Sequence, residues 1–298
     1  MPELPDITIY VEALRRLAGG AILDQLGVLN PFVLRTVSPN PEVFAGRELT
    51  AVLRLGKRIV LSFSEGHHAV IHLMVAGRLQ WRARTAKLPP RRGLAAWTFS
   101  TGKLILTEAG TKRRASIHLV VGEEALAAHD PGGLEVLHTD LPAFRAAITR
   151  ERHTLKRTLT DPRLLSGIGN AYSDEILHHA RLSPFKLSDS LSDDESAKLF
   201  DSVVAVLSDW TTRLRTEVGD GFPEKVTAFR EDMAVHGRFG RPCPDCGAPV
   251  QRIRYADSEA NYCAGCQTGG RILADRSLSR LLKADWPKTL DDLERRPR

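Results

Sequence analysis

All four cysteines of this chain fall between positions 243 and 266. They read Cys243-x2-Cys246, a gap of 16 residues, then Cys263-x2-Cys266. Each x2 pair places two thiolates on one tight turn, and Gly247 helps the first turn close. The gap is long enough for a β-hairpin to bring the two turns together. This is the spacing of a tetrathiolate zinc site. Four thiolates leave no open coordination position, so the implied Zn2+ is structural, one per chain. Disulfide pairing is the competing reading, and it suits an oxidising compartment. The opening MPELPDITIY has neither the basic flank nor the apolar core of a secretory signal. No apolar run reaches the roughly 18 residues that a membrane helix needs. We therefore expect a cytoplasmic protein without membrane association.

The rest of the 298 residues divide by periodicity. Ile7, Tyr10, Val11, Leu14 and Leu17 follow helical spacing, so 5–18 reads as a helix, with Pro5 in its first turn and Gly19-Gly20 after it. Short β-rich runs follow: Ile22–Leu29, Leu49–Leu55, Arg58–Phe63, His68–Val75, Ala96–Ser100, Leu104–Thr107 and Ser116–Val121. Their even spacing suggests a sandwich or barrel. After Asp130-Pro131-Gly132-Gly133 the pattern turns helical, over Ala143–Thr149, Thr154–Thr160, Ala171–Ala180 and Ala197–Val218. Ser192-x-x-Glu195 has the form of a capping box for the last of these. A second break spans 218–223, the cysteine segment occupies about 237–270, and a short helix is expected around Leu278–Leu282.

Lys and Arg outnumber Asp and Glu by 42 to 36, a formal charge of +6. The excess recurs as Arg15-Arg16, Lys57-Arg58, Arg91-Arg92, Lys112-Arg113-Arg114 and Arg252/Arg254 rather than as one tail. Basic pairs on several elements suit a groove for a polyanion, with ordinary solubility charge as the alternative.

The chain start carries chemistry of its own. Initiator methionine is usually removed before a small residue, which leaves Pro2 as a free secondary amine followed at once by Glu3. An α-amino group titrates at about 7.7–8.0, against about 10.4 for lysine. A neutral secondary amine can attack a carbonyl-like carbon and form an iminium ion, with the Glu3 carboxyl as a proton source beside it. A second cluster is Ser166-Gly167-Ile168-Gly169-Asn170 running into Ala171–Leu177. Two glycines lead to Asn170 as the expected N-cap, a turn that suits a phosphate, or an ordinary capped helix.

Taken together, Met-Pro-Glu-Leu-Pro, Gly-Ile-Gly-Asn before a helix, and the late cysteine hairpin ending in Cys266-Gln267 resemble one family. It is the formamidopyrimidine-DNA glycosylase and endonuclease VIII family of base-excision repair. The resemblance spans nearly the whole chain, with the motifs in order. It implies an α+β multidomain fold: a catalytic β-sandwich with its leading helix (1–130), a helix–two-turns–helix DNA-binding domain (131–236), a four-cysteine zinc-finger hairpin (237–271) and a tail (272–298). It implies a glycosylase and abasic-site lyase acting as a monomer on damaged double-stranded DNA, in the bacterial cytoplasm at the nucleoid. Pro2 is then the nucleophile toward C1′, Glu3 the acid for the sugar ring oxygen, and Lys57 a phosphate contact beside the lesion. Asn170 is a backbone contact. Met74, Lys112, Arg113, Arg252 and Arg254 are further DNA-binding candidates. A solvated surface lysine is the alternative for Lys57.

The chain also departs from the family pattern. Asp6 stands where glutamate is usual, and Met74-Val75 where Gly-Met is common. Arg113-Arg114-Ala115-Ser116 stands for an Arg-Arg-Phe-Gly wedge, and alanine cannot unstack a base pair. Ser258 replaces a phosphate-gripping arginine, and Gly221–His236 lacks a glycine-rich composition. These changes favour a divergent member that prefers oxidised pyrimidines, abasic sites or pre-opened DNA. An inactive damaged-DNA-binding protein on the same scaffold is the alternative, against which Pro2 and Glu3 both speak. A zinc-ribbon protein outside repair accounts for the cysteines and the charge but not for the chain start.

Overall fold

A computed structural model describes residues 1–109, 112–224, 226–227, 230–254, 259–275, 281 and 286–294. The chain divides into two compact units, 1–132 with 209–227, and 133–208 with 228–298. The domain bounds expected from sequence run in chain order. The structure instead returns 209–227 to the first unit.

The first unit opens with helix α1 (Leu4–Ala18), which buries Ile7, Tyr10, Val11 and Leu14 along one face. Two four-stranded antiparallel sheets follow. One runs β1-β6-β7-β5 (Leu23–Val28, Gly93–Phe99, Gly102–Glu108, Gly77–Arg82), the other β2-β3-β4-β8 (Leu49–Leu55, Arg58–Phe63, His67–His72, Ser116–Val121). Alternate residues of both sheets, among them Leu61, Ile71, Ile117, Trp97 and Leu104, meet the α1 face in one apolar core. That is the expected sandwich. The sheets close because strand side chains alternate between core and outer face. Phe222 and Val226 pack on the same core, Arg215 pairs with Glu12, and an Arg16 guanidinium donates to the Asp220 and Gly221 carbonyls. These contacts are why 209–227 belongs here.

In this unit one strand and one α-helix escaped the sequence reading. Strand β5 carries two arginines, Arg78 and Arg82, yet it alternates properly, with Leu79 and Trp81 directed at the core. Helix α2 (Glu123–Ala127) is only five residues long. The run read as a strand through Val75 ends at His72, and Leu73–Ala76 form a turn with Met74 at φ 51°.

The second unit holds α3 (Leu141–Thr149), α4 (Leu155–Thr160), α5 (Asn170–His179) and the first part of α6 (Asp193–Val218). The expected capping box is present: Ser192 N–H donates to Glu195 at 2.9 Å and Glu195 N–H to Ser192 Oγ at 3.1 Å. The helix therefore starts at Asp193 rather than Ala197. Turns over 161–169 join α4 to α5, and Leu155, Leu159, Ile168, Tyr172 and Ile176 are buried around them. The N-cap of α5 is Gly169, and Asn170 is its first helical residue, a correction of one position. The hairpin is β9 (Val250–Arg254) with β10 (Glu259–Cys263), followed by α7 (Ala264–Thr268) and, near the end, α8 (Leu290–Glu294). The helix expected around Leu278–Leu282 lies outside the described residues except for Leu281. Among the described residues, no helix is long and apolar enough to cross a membrane.

Candidate functional site

The chain start is fixed by the first turn of α1. Glu3 is the N-cap and is buried. Its side chain accepts the Asp6 backbone N–H, and its own N–H donates to Asp6 Oδ2 at 3.0 Å. The two carboxylates thus satisfy orphan donors at a helix N-terminus, where the dipole also favours negative charge. Pro2 is buried directly before them. The α-amino group, which with Met1 in place belongs to that residue, lies below its ordinary value. Burial is the main cause, with Arg78 and Lys57 acting in the same direction and Glu3 and Asp6 opposing. Lys57 reaches this region from the two-residue loop Gly56-Lys57, which joins Leu55 to Arg58 in register. Gly56 has φ 60°, as such a tight hairpin loop needs. Pro2 and Glu3 thus lie together at the start of α1, and Lys57 and Arg78, the latter passed over in the sequence, act electrostatically on the α-amino group beside them.

Elsewhere in this unit two basic runs adjoin. Arg113 Nη2 donates to the Arg91 carbonyl at 2.8 Å, and Glu108 N–H to the Arg92 carbonyl at 3.0 Å. The buried Glu108 carboxylate accepts the N–H groups of Arg114 and Ala115 at 3.0 to 3.4 Å. That anchor turns Ala115 into the core and leaves Arg91, Arg92, Lys112, Arg113 and Arg114 exposed.

In the second unit Asn170 is half-buried, and its carbonyl accepts Lys156 Nζ at 2.7 Å. The same ammonium donates to Ser173 Oγ at 2.8 Å and Asp174 Oδ1 at 2.6 Å. Asp174 Oδ2 in turn meets His236 Nδ1 at 2.8 Å and accepts Asn261 Nδ2 at 3.3 Å. Glu175 accepts the backbone N–H groups of Ala234, Val235 and His236 at 2.7, 3.0 and 2.9 Å. Burial pushes its carboxyl up, against those three donors. These adjacent acids of α5 hold the hairpin and the segment before it. Nothing in the local sequence pattern marked them.

The four cysteine sulfurs lie within 4.8 Å of one another. Two of the pairs, Cys243–Cys266 and Cys246–Cys263, are 3.9 and 3.3 Å apart. Sulfurs around a tetrahedral ion with bonds of about 2.3 Å stand about 3.8 Å apart. A disulfide needs about 2.05 Å, so the thiols fit a metal and not a bridge. Gln267 braces the second pair: its Oε1 accepts Cys263 N–H at 2.8 Å, and its Nε2 donates to the Leu182 carbonyl at 2.9 Å.

Comparison with known proteins agrees with this layout. The family model described as the formamidopyrimidine-DNA glycosylase N-terminal domain matches residues 1–125, and that for the H2TH domain of the same glycosylase matches 133–215. A formamidopyrimidine-DNA glycosylase of Desulforamulus reducens is 32% identical over 284 residues, spanning 90% of this chain and 99% of its own. The chain belongs to the formamidopyrimidine-DNA glycosylase family. An uncharacterised formamidopyrimidine-DNA glycosylase-like protein of Mycobacterium tuberculosis is 43% identical over 153 residues, 51% of this chain and 93% of its own. The fold is also that of the Lactococcus lactis glycosylase solved with abasic-site DNA, at TM-score 0.77 and 20% identity over 89% of this chain and 99% of that one.

Against the family pattern, several of the departures now have a place. Asp6 keeps the reciprocal bond to Glu3 despite its shorter side chain. Met74 is half-buried, while Val75 is 62% exposed at the turn. Ala115 faces the core, so no wedge projects at that position of this formamidopyrimidine-DNA glycosylase relative. Ser258 lies outside the described residues. The Arg252 guanidinium sits 4.3 Å from the centre of the Phe239 ring and 3.6 Å from Glu259, and Arg254 is exposed opposite Glu259.

Proposed function

We propose that this chain is a bifunctional DNA glycosylase and abasic-site lyase of base-excision repair, acting as a cytoplasmic monomer on damaged double-stranded DNA. The observation that carries the reading is the chain start: Pro2 buried beside a carboxylate locked as the N-cap of α1, with Lys57 and Arg78 near. Removal of Met1 exposes the proline nitrogen there. With Met1 in place, burial and the Arg78 and Lys57 cations hold the α-amino group at that end of the chain below its ordinary value, the direction that an amine nucleophile requires. The damaged nucleotide is flipped from the duplex. The Pro2 nitrogen bonds to C1′ as the C1′–base bond breaks and the base leaves. The base departs as an anion and takes a proton from water, the Pro2 N–H proton passes to the Glu3 carboxylate, and Glu3 gives that proton to the ring oxygen as the sugar opens to the iminium ion. Loss of a C2′ proton then expels the 3′ phosphate by β-elimination, with or without δ-elimination of the 5′ phosphate after it.

Lys57 binds the phosphate beside the lesion, Asn170 a backbone phosphate, and the exposed Arg113 the orphaned base, with Lys112, Met74, Arg252 and Arg254 as supporting contacts. Cys243, Cys246, Cys263 and Cys266 hold one Zn2+, whose part is to fix the hairpin. The inward turn of Ala115 supports a preference for lesions that are already unstacked: oxidised pyrimidines, abasic sites and pre-opened DNA.

Borohydride trapping tests the reading on duplexes carrying an abasic site, 8-oxoguanine, a ring-opened purine or an oxidised pyrimidine. A covalent adduct is expected that disappears in Pro2→Gly, together with an intact mass lacking Met1. No adduct on any duplex, with DNA still retarded in a gel, overturns the lyase and leaves an inactive damage-binding protein.

A further inference from the structure

Helix α5 ends in a backbone motif that normally takes glycine. Leu182 N–H donates to the Leu177 carbonyl and Arg181 N–H to the His178 carbonyl, each at 3.0 Å. That pair of bonds is a Schellman C-cap, and it places Arg181 at the left-handed position with φ 55°. A side chain there strains the backbone, whereas glycine does not.

The Arg181 side chain reaches the cysteine site. Its Nη2 donates to Asp245 Oδ2 at 3.0 Å, inside the turn Cys243-Pro244-Asp245-Cys246. The Cys266 sulfur also acts electrostatically on this guanidinium, which is held above its ordinary value chiefly by it. One turn earlier the buried His178 directs Nε2 at Cys243 Sγ, 3.3 Å away. A metal-bound thiolate can only accept, so Nε2–H is the donor. His178, Asp245 and Cys266 could by composition form a separate metal site, with ligand atoms within 4.8 Å of one another. The Arg181 cation on the same carboxylate opposes a second cation there.

We propose that His178 and Arg181 form a donor cap over the four-cysteine metal site, one N–H on Cys243 and one guanidinium on Cys266. This rests on the reading of that site as a zinc centre. A tetrathiolate zinc carries a formal excess of two negative charges, and each donated hydrogen bond draws charge from a sulfur. The cap slows loss of the metal. It also ties the metal to the C-terminal end of the helix that begins with Asn170, so hairpin and helix move as one piece.

The test uses the full-length zinc-loaded protein and follows transfer of zinc to a chromogenic chelator. His178→Phe and Arg181→Gly are expected to release zinc about 10–100-fold faster, the usual effect of removing an outer hydrogen-bond partner. His178→Gln, which keeps an N–H donor, is expected to recover most of the parent rate. Arg181→Gly also relieves the strained backbone, so faster release from a chain that melts no lower cannot come from misfolding. In the cobalt-substituted protein, loss of either donor should shift the sulfur-to-metal charge-transfer band to longer wavelength. Parent release rates and an unmoved cobalt band in folded His178→Phe and Arg181→Gly overturn the cap while leaving the zinc centre standing. A purified chain that neither carries zinc nor takes up cobalt overturns the zinc reading, and the cap with it.

Discussion

The two units hold their buried carboxylates by opposite routes. In the first, Glu3 and Asp6 lie three residues apart and satisfy each other within one helical turn. In the second, Asp174 gathers Lys156, His236 and Asn261 across sequence separations of 18, 62 and 87 residues. The first device forms wherever that turn forms. The second exists only when α4, α5, the segment before the hairpin and the hairpin itself are all in place. A local carboxylate pair therefore leaves the chain start independent of distant segments, while a long-range one ties several segments of its unit together.

The largest effect that sharpens this contrast is expected from Asp174→Ala. It leaves the Lys156 ammonium, which is buried at 8% exposure, without its carboxylate partner and should cost about 3–5 kcal/mol in urea unfolding. Pairing it with Lys156→Met should return much of the loss. A single mutant within about 0.5 kcal/mol of the parent, the range of ordinary surface changes, would break the comparison.

Next comes a pH effect centred on His72 of the first unit. Burial, with Arg58, Lys57 and His118 beside it, lowers the His72 imidazole to about 4. The unfolded group titrates near 6.5, so between these values the unfolded chain binds more protons. Stability is full above about pH 6.5 and falls as the pH drops toward 4, by about 3 kcal/mol from this group. His118 and His129 are lowered by burial too and add in the same direction. His72→Gln should flatten part of the slope of the urea midpoint against pH, and an unchanged slope refutes the assignment.

The smallest effect is expected at the local device. Asp6→Ala removes one half of a capping box, about 1 kcal/mol, read as a small drop in Tm. Asp6→Asn, which keeps an acceptor, should lose less. A drop as large as that of Asp174→Ala would mean that the chain start too is held by long-range contacts.

Much of the fold was legible because its signals are local. Strands β2, β3 and β8 and the Ser192–Glu195 capping box follow from alternation and from residues three apart, and the structure places them as expected. Strand β5 was hidden because its outward positions are arginines and glutamine in a run without a long apolar stretch. Asn170 was placed one position early because asparagine is a good cap by type, yet the extended backbone at the start of α5 fell to Gly169. The Asp174 hub left no trace in local pattern, since each of its partners is an ordinary polar residue in its own segment.

By itself the sequence determined the cysteine spacing, the Met-Pro-Glu start, and the change from a period of two to a helical period near residue 130. Those are written in neighbouring residues and need no partner from afar. Only the tertiary structure decided that β5 pairs with β7, that 209–227 rejoins the first unit, that Ala115 turns inward, and that Arg181 keeps a glycine's place beside two cysteine turns. The reason is burial: a polar group removed from water must find its partner wherever the chain brings one, and that choice is made between distant segments.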